Sequence, residues 1–409
     1  MRLVVFIALC VVTALPASGA LADEVVPMPE GTRSVEVVDD GLVVHALPDA
    51  GAARRGTVKI GSRLPVRRKT VGTGCASHAW YEVGEQAFVC AAGAVPSPLA
   101  PAGEDLAASL PGQALPLAVG VVRVDGTPRY AHPSDYEAGE FVDSLGKGFA
   151  VVMGESRTAF GVEFIRTRQG YWVERDALEP PEVSAFEGVA IEGEAMPAWA
   201  RSKNVQIYAA PSGARAERRA SAREVFWIEG PGTKERAQLR GGLYARRRDL
   251  HMAERTARPA TVGEHERWID VDVASQILVA YEGDRPVFAT LVSTGRPGAQ
   301  TATPVGEHRI WVKLAFSDMD DLERTDVESN YSVEAVPWVQ YFAGGAGFHT
   351  AYWHDDFGRA RSHGCVNLSP GDAKRLFSFT GPALPLGWNA VLPSAEAPGT
   401  LVRVRGPRR

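Results

Sequence analysis

The sequence predicts a mainly β protein, built from several small β modules and a larger C-terminal domain. Three observations carry this. Apolar and polar residues alternate over short runs, as in Ile269-Asp270-Val271-Asp272-Val273. Glycine and proline, 42 and 28 of 409 residues, break those runs at short intervals. Only one segment, just after Leu368, carries a strong helix start. A chain of this length exceeds one typical core and divides into roughly two to four domains.

Taken in order, Arg2 precedes an apolar run from Leu3 to Leu15, then small residues ending Ala20-Leu21-Ala22. That is the pattern of a secretory signal peptide, residues 1–22, cleaved after Ala22. The run is shorter than the ~20 residues a spanning helix needs, and no later stretch is long and apolar enough to span. Cys10 leaves with the signal. Export places the chain in the periplasm or cell wall, where disulfides form. Cys75 and Cys90 flank a hairpin-like segment and make a candidate pair. Cys365 is then the odd cysteine, either a free reactive thiol or a buried inert one.

Residues 23–32 read as a linker. Residues 33–95 hold short strands separated by glycine turns, a small β-barrel-like module. Its Pro48-Asp49-Ala50-Gly51, Val58-Lys59-Ile60-Gly61 and Trp80-Tyr81-Glu82-Val83 loosely resemble bacterial Src-homology-3-like wall-associated modules. Residues 96–114 are rich in Ala, Pro and Gly and read as a linker. A second β-rich module spans 115–180, an acidic, proline-containing connection spans 181–203, and a third β-rich module spans 204–252. The last block runs over 265–405. Its strands include 269–273, 276–281, 287–293 and 307–313, with a closing strand at 402–404. Its helix begins at Ser369 as N-cap, with Pro370 in the first position and Asp372 three residues after the cap. Ala373, Leu376 and Phe377 form its apolar face.

The chemistry concentrates in Phe348-His349-Thr350 and, after a spacer, Ser362-His363-Gly364-Cys365-Val366-Asn367. A cysteine attacks as thiolate, and a histidine with a pKa near ~6.5 can take its proton and stabilise the ion pair. Gly364 allows close backbone approach before the nucleophile, and the amides of Gly364 and Cys365 can point at a developing oxyanion.

Here the sequence resembles the catalytic domain of the L,D-transpeptidases. That family carries a histidine, a spacer of this length, then Ser/Thr-His-Gly-Cys, an apolar residue and Asn or Arg. Ser362 to Asn367 match every position. Ile269-Asp270-Val271 with Gln276, Ser293-Thr294-Gly295, and Thr303-Pro304-Val305-Gly306 match the upstream context. The resemblance covers roughly 140 residues, about a third of the chain.

It implies Cys365 as nucleophile and His349 as general base. His363 and Gly364 would shape the catalytic loop and oxyanion site. Thr350 would hold the histidine through its main chain, and Asn367 would support the site or touch substrate alongside Ser362. Tyr352, Trp353, His354, Asp355 and Asp356 either line the acyl-donor groove or form a packed loop. Residues 314–347, with Met319, Tyr331, Trp338 and Tyr341, form either a mobile lid, as the family often has here, or a surface excursion whose aromatics pack on the sheet. The implied substrates are peptidoglycan stem peptides, with a wall protein as another acceptor, and carbapenems would acylate Cys365. The alternatives are an L,D-carboxypeptidase using water and a non-catalytic wall-binding scaffold.

No metal or cofactor is expected. His349, His354, His363 and Cys365 lack the spacing of common zinc ligands. A net charge of -5 gives no reason to expect a nucleic-acid partner. Arg246-Arg247-Arg248 reads as a solvated edge, and the remaining histidines, His251 among them, are assigned no role.

Overall fold

The structure, a computed structural model, describes residues 25–213, 215–320 and 332–406. The signal segment and Tyr331 lie outside the described residues. Strands dominate, and the described residues include two α-helices, Asp135–Ala138 and Pro370–Phe379. The mainly β class is therefore the observed one.

The C-terminal block is a sandwich of two sheets. Its strands are β1 (Arg267–Asp272), β2 (Ile277–Glu282), β3 (Arg285–Leu291), β4 (Gly306–Arg309), β5 (Val312–Asp320), β6 (Ser332–Ala343), β7 (Ala346–Thr350), β8 (Val366–Leu368), β9 (Trp388–Val391) and β10 (Leu401–Arg405). The first sheet is six-stranded, in the order Val189–Ala190, β3, β2, β1, β10, β4. The second runs β9, β5, β6, β7, β8 within a larger sheet. One apolar core joins them: Ile269, Val271 and Leu278 meet Val336, Trp338, Val339 and Phe348, closed by Leu376 and Phe377 of the helix.

The helix starts where its residues dictate. Ser369 Oγ accepts from the Asp372 amide, and Pro370 occupies the first turn, where no amide is missed. The buried Lys313 ammonium donates to the carbonyls of Phe377 at 2.7 Å and Thr380 at 2.8 Å. It thereby satisfies carbonyls that the helix end leaves open. The other helix, Asp135–Ala138, is a single turn and left no periodic signature in the sequence.

Three readings change. The strand β1 is buried on both faces, because Asp270, at 1% exposure, pairs with Arg403 at 2.7 Å and Arg405 at 2.9 Å from the neighbouring parallel strand. Alternation placed this residue outward, and only the strand beside it supplies the partners. Among the described residues of 314–347, most lie in the long antiparallel pair β5–β6 rather than in a surface excursion. Trp338 lies in the core, its Nε1 donating to the Ala107 carbonyl at 2.9 Å. The segment 181–203 supplies Val189–Ala190 to the first sheet and Met196–Ala200 to the third module's sheet. Met196–Ala200 is buried throughout, so it has no alternation to read.

The N-terminal segments attach to this sandwich through backbone pairing. Arg54–Val58 pairs with β9, and Ala150 of the strand Ala150–Ala159 pairs with Val333 of β6. Cys75 and Cys90 form a disulfide with Cα atoms 5.5 Å apart. The third module is a seven-stranded sheet from Met196–Ala200 to Leu250–Met252. Its His251 Nδ1 donates to the Ser275 carbonyl of the C-terminal block at 2.7 Å, since a carbonyl only accepts.

Candidate active site

Parallel pairing of β7 with β8 brings the two halves of the motif together. His349 is level with Asn367, and Phe348 with Val366. Cys365 therefore enters β8 beside Gly347. Its half-buried Sγ lies 3.6 Å from the Gly345 carbonyl, at the β6–β7 turn. Burial raises the thiol pKa, while a hydrogen bond from the Gly347 amide lowers it.

His349 is 2% exposed. Its Nδ1 lies 2.7 Å from the Thr350 carbonyl, which fixes the proton on Nδ1 and leaves Nε2 as the basic nitrogen. Desolvation pulls its pKa down to about 4, opposed by the Thr350 hydrogen bond and helped by His354. The Trp353 ring, 38% exposed, stacks on the imidazole at 5.9 Å between centroids.

The loop before Cys365 is held from inside. Ser362 Oγ donates to the Cys365 carbonyl at 2.5 Å and accepts from the Gly364 amide at 3.1 Å. The Gly364 amide is thus already used, which corrects the expectation that it points at an oxyanion. Gly364 has φ 130, a conformation in which any side chain is strained. The upstream motif residues brace the same loop. Gln276 holds Thr294 through both amide atoms, at 2.6 and 2.9 Å, and the Thr294 carbonyl accepts from Arg361 at 2.9 Å. The Gly295 amide donates to Thr303 Oγ1 at 2.9 Å, and Gly295 bridges Ser362.

Three residues offered as substrate contacts, Tyr352, Ser362 and Asn367, face inward instead. Tyr352 is 0% exposed and packs in the sandwich core. Thr350 is also buried, so it reaches the site only through its carbonyl. The side chains of Ser362 and Asn367 are buried and engaged within the loop. Of the expected substrate-facing residues, Trp353 keeps an open face. His363 is exposed.

Asn367 lies 3.1 Å from His354 Nε2, and His354 Nδ1 accepts from the Asp356 amide at 3.2 Å. The Asn367 atom facing the ring is Nδ2, and its Oδ1 is buried without a hydrogen-bond partner among the described residues.

Sequence reasoning missed the outer grip on this loop. Arg223 of the third module pairs in a fork with both oxygens of Asp355 and donates to its carbonyl at 3.2 Å. Ser184 also bonds Asp355, and Phe186 stacks on Phe357 at 6.0 Å. Gly358 sits so close to His251 that a Cβ would lie 2.9 Å from its Nε2. No local signal marks Arg223 or Ser184, since their partners are distant in the chain.

Residues 266–404 match the family model for YkuD, the L,D-transpeptidase catalytic domain. No curated protein matches the chain. Among solved structures, the Stackebrandtia nassauensis L,D-transpeptidase is 28% identical over 36% of this chain and 59% of its own, with a TM-score of 0.25. The Enterococcus faecium L,D-transpeptidase catalytic domain is 24% identical over 34% of this chain and 98% of its own, with a TM-score of 0.26. An L,D-transpeptidase from Mycobacterium smegmatis is 16% identical over 62% of this chain and 98% of its own, with a TM-score of 0.28. The chain spans half the length of another Enterococcus faecium L,D-transpeptidase, a C442S mutant. The family match covers the segment that holds the motif: residues 266–404 match the L,D-transpeptidase catalytic domain family.

Proposed function

We propose that this protein is a peptidoglycan L,D-transpeptidase with a cysteine thioester mechanism. The observation that carries the reading is the commitment of His349 Nδ1 to the Thr350 carbonyl, which leaves Nε2 as a base beside the strand that follows Cys365. His349 takes the Cys365 proton as sulfur attacks the carbonyl of the third residue of a tetrapeptide stem. The C–N bond to the terminal D-Ala breaks, and its amine leaves with the proton from the imidazolium. A thioester remains on Cys365. An acceptor amine, deprotonated by His349, then displaces the thiolate. The acceptor is the third residue of another stem, giving a 3→3 cross-link. Water as acceptor would make the enzyme an L,D-carboxypeptidase.

The amide of Cys365 makes no hydrogen bond among the described residues and is the donor we assign to the oxyanion. Trp353, stacked on His349 with an open face, is the residue we assign to the stem. Residues 1–22 serve as export signal, and residues 33–95, 115–180 and 204–252 place the catalytic domain at the wall. Among the described residues, no helix is long and apolar enough to cross a membrane.

Mass spectrometry of the protein mixed with disaccharide-tetrapeptide tests the reading, with Cys365→Ala alongside. Dimeric muropeptide from the wild type alone is expected. Tripeptide alone would indicate the carboxypeptidase. Absence of both product and thioester would remove the catalytic reading and favour a scaffold.

A further inference from the structure

The third module carries a basic pocket that the catalytic reading leaves unused. It has a volume of about 560 Å³ and is lined by Arg215, Arg218, Arg219, Arg236 and Arg246 around Tyr208, with Glu217 as the acidic member. The chain as a whole is acidic, at -5.

The sheet register explains how the charges converge. Arg236 and Arg246 are direct cross-strand partners, and Tyr208 and Tyr244 are partners two residues along from Arg246. Arg246 therefore shares the outer face with Tyr208, while Ile207, Ala237 and Ala245 turn into the core. Arg219 pairs with Gln206 on that outer face. Arg236 is only 8% exposed, and its guanidinium lies 3.5 Å over the Tyr208 ring, with Arg246 at 5.9 Å from the same ring. One Arg236 nitrogen donates to the Ala210 carbonyl at 2.7 Å.

Arg218 has a carboxylate partner, Glu224 at 2.6 Å. Among the described residues, Arg215, Arg219, Arg236 and Arg246 form no ion pair. Like charges directly opposite in a sheet destabilise it, and here one of them is nearly buried. A bound anion removes that repulsion. Arginine forks fit carboxylate and phosphate alike. Several unpaired arginines in one pocket favour the more highly charged group, since phosphate carries about -1.5 to -2 at neutral pH.

We propose that this face of the third module is a binding site for a multiply charged phosphate ligand, engaged by Arg219, Arg236 and Arg246. Arg246 is thus part of a site rather than of the solvated edge its sequence suggested. The test is titration calorimetry of the purified protein with sodium tripolyphosphate at low and high salt, beside the double variant Arg219→Gln, Arg246→Gln. Both positions are surface-accessible and outside the catalytic machinery. The wild type is expected to bind one equivalent, less tightly at high salt, and the variant at least tenfold more weakly. The anion-free variant is expected to melt no lower than the wild type, because repulsion has been relieved. Phosphatidylglycerol vesicles, with phosphatidylcholine as control, distinguish the source. Binding to the former assigns a lipid headgroup, and indifference to both assigns a soluble or polymer-borne phosphate. Equal affinity of wild type and variant, or no binding by the wild type at low salt, overturns the proposal.

Discussion

Burial acts oppositely on the two side chains proposed to react. It raises the Cys365 thiol and lowers His349 to about 4, so both are neutral near pH 7. The resting site is a thiol beside a basic imidazole, rather than the ion pair the sequence suggested. Activity then needs neutral His349, and kcat/KM is expected to fall only as pH drops toward about 4. Alkylation of Cys365 by iodoacetamide depends on the thiolate itself. Its rate is expected to climb about tenfold per pH unit through neutrality. A flat alkylation rate between pH 5 and pH 8, read by mass spectrometry, would instead reveal a preformed thiolate and reject this assignment.

At the scale of elements, the loop between His349 and Cys365 is a packed bridge with grips at both ends. Asn367 and His354 hold it from β8, and Arg223 holds it from the third module. The Arg223–Asp355 pair is partly exposed and contributes little to global stability. Its effect is positional. Arg223→Ala is expected to lower kcat by about ten- to a hundredfold, with KM and melting temperature little changed. Arg223→Lys, which lacks the fork, should restore only part of it. Full activity in Arg223→Ala would show that the outer grip is dispensable. The helix after β8 offers a separate measure: Ser369→Ala removes the cap on the Asp372 amide and should cost about 1 kcal/mol in denaturant unfolding.

For the whole molecule, acid stability tests how tightly the third module seats on the catalytic block. His251, buried at that junction, is lowered to about 4 by desolvation and by Arg201, against a hydrogen bond to Ser275. An unfolded histidine titrates near ~6.5, so below that pH the unfolded chain binds the proton first. The folded state loses stability as pH falls from 6.5 to about 4, and the contribution is flat above 6.5. The loss amounts to about 3 kcal/mol at most. Asp372 and Glu334, both raised by burial, oppose this slope. Comparison with His251→Gln isolates the histidine: the wild type should lose more stability than the variant over this range. Parallel slopes would place the proton elsewhere. Cys75→Ser with Cys90→Ser should cost about 2–4 kcal/mol in the N-terminal module.

Local chemistry was legible in the sequence. The β class followed from alternation and turn residues, and the helix start from Ser369, Pro370 and Asp372. The two halves of the motif stood out in the sequence and fall on adjacent strands, and the pairing of Cys75 with Cys90 was open as a candidate. Each depends on neighbours in sequence or on residue chemistry alone. What only the tertiary structure decided is where distant segments meet. Tyr352 and Thr350 are buried because the two sheets and the helix pack together, and Asp270 is buried because β10 brings two arginines beside it. Arg223 grips Asp355, and Arg236 faces Arg246, because backbone pairing and packing bring separate strands and loops together. Burial and electrostatic partners depend on distance in space, and a linear pattern carries that information only for residues whose spacing matches a single strand or helix.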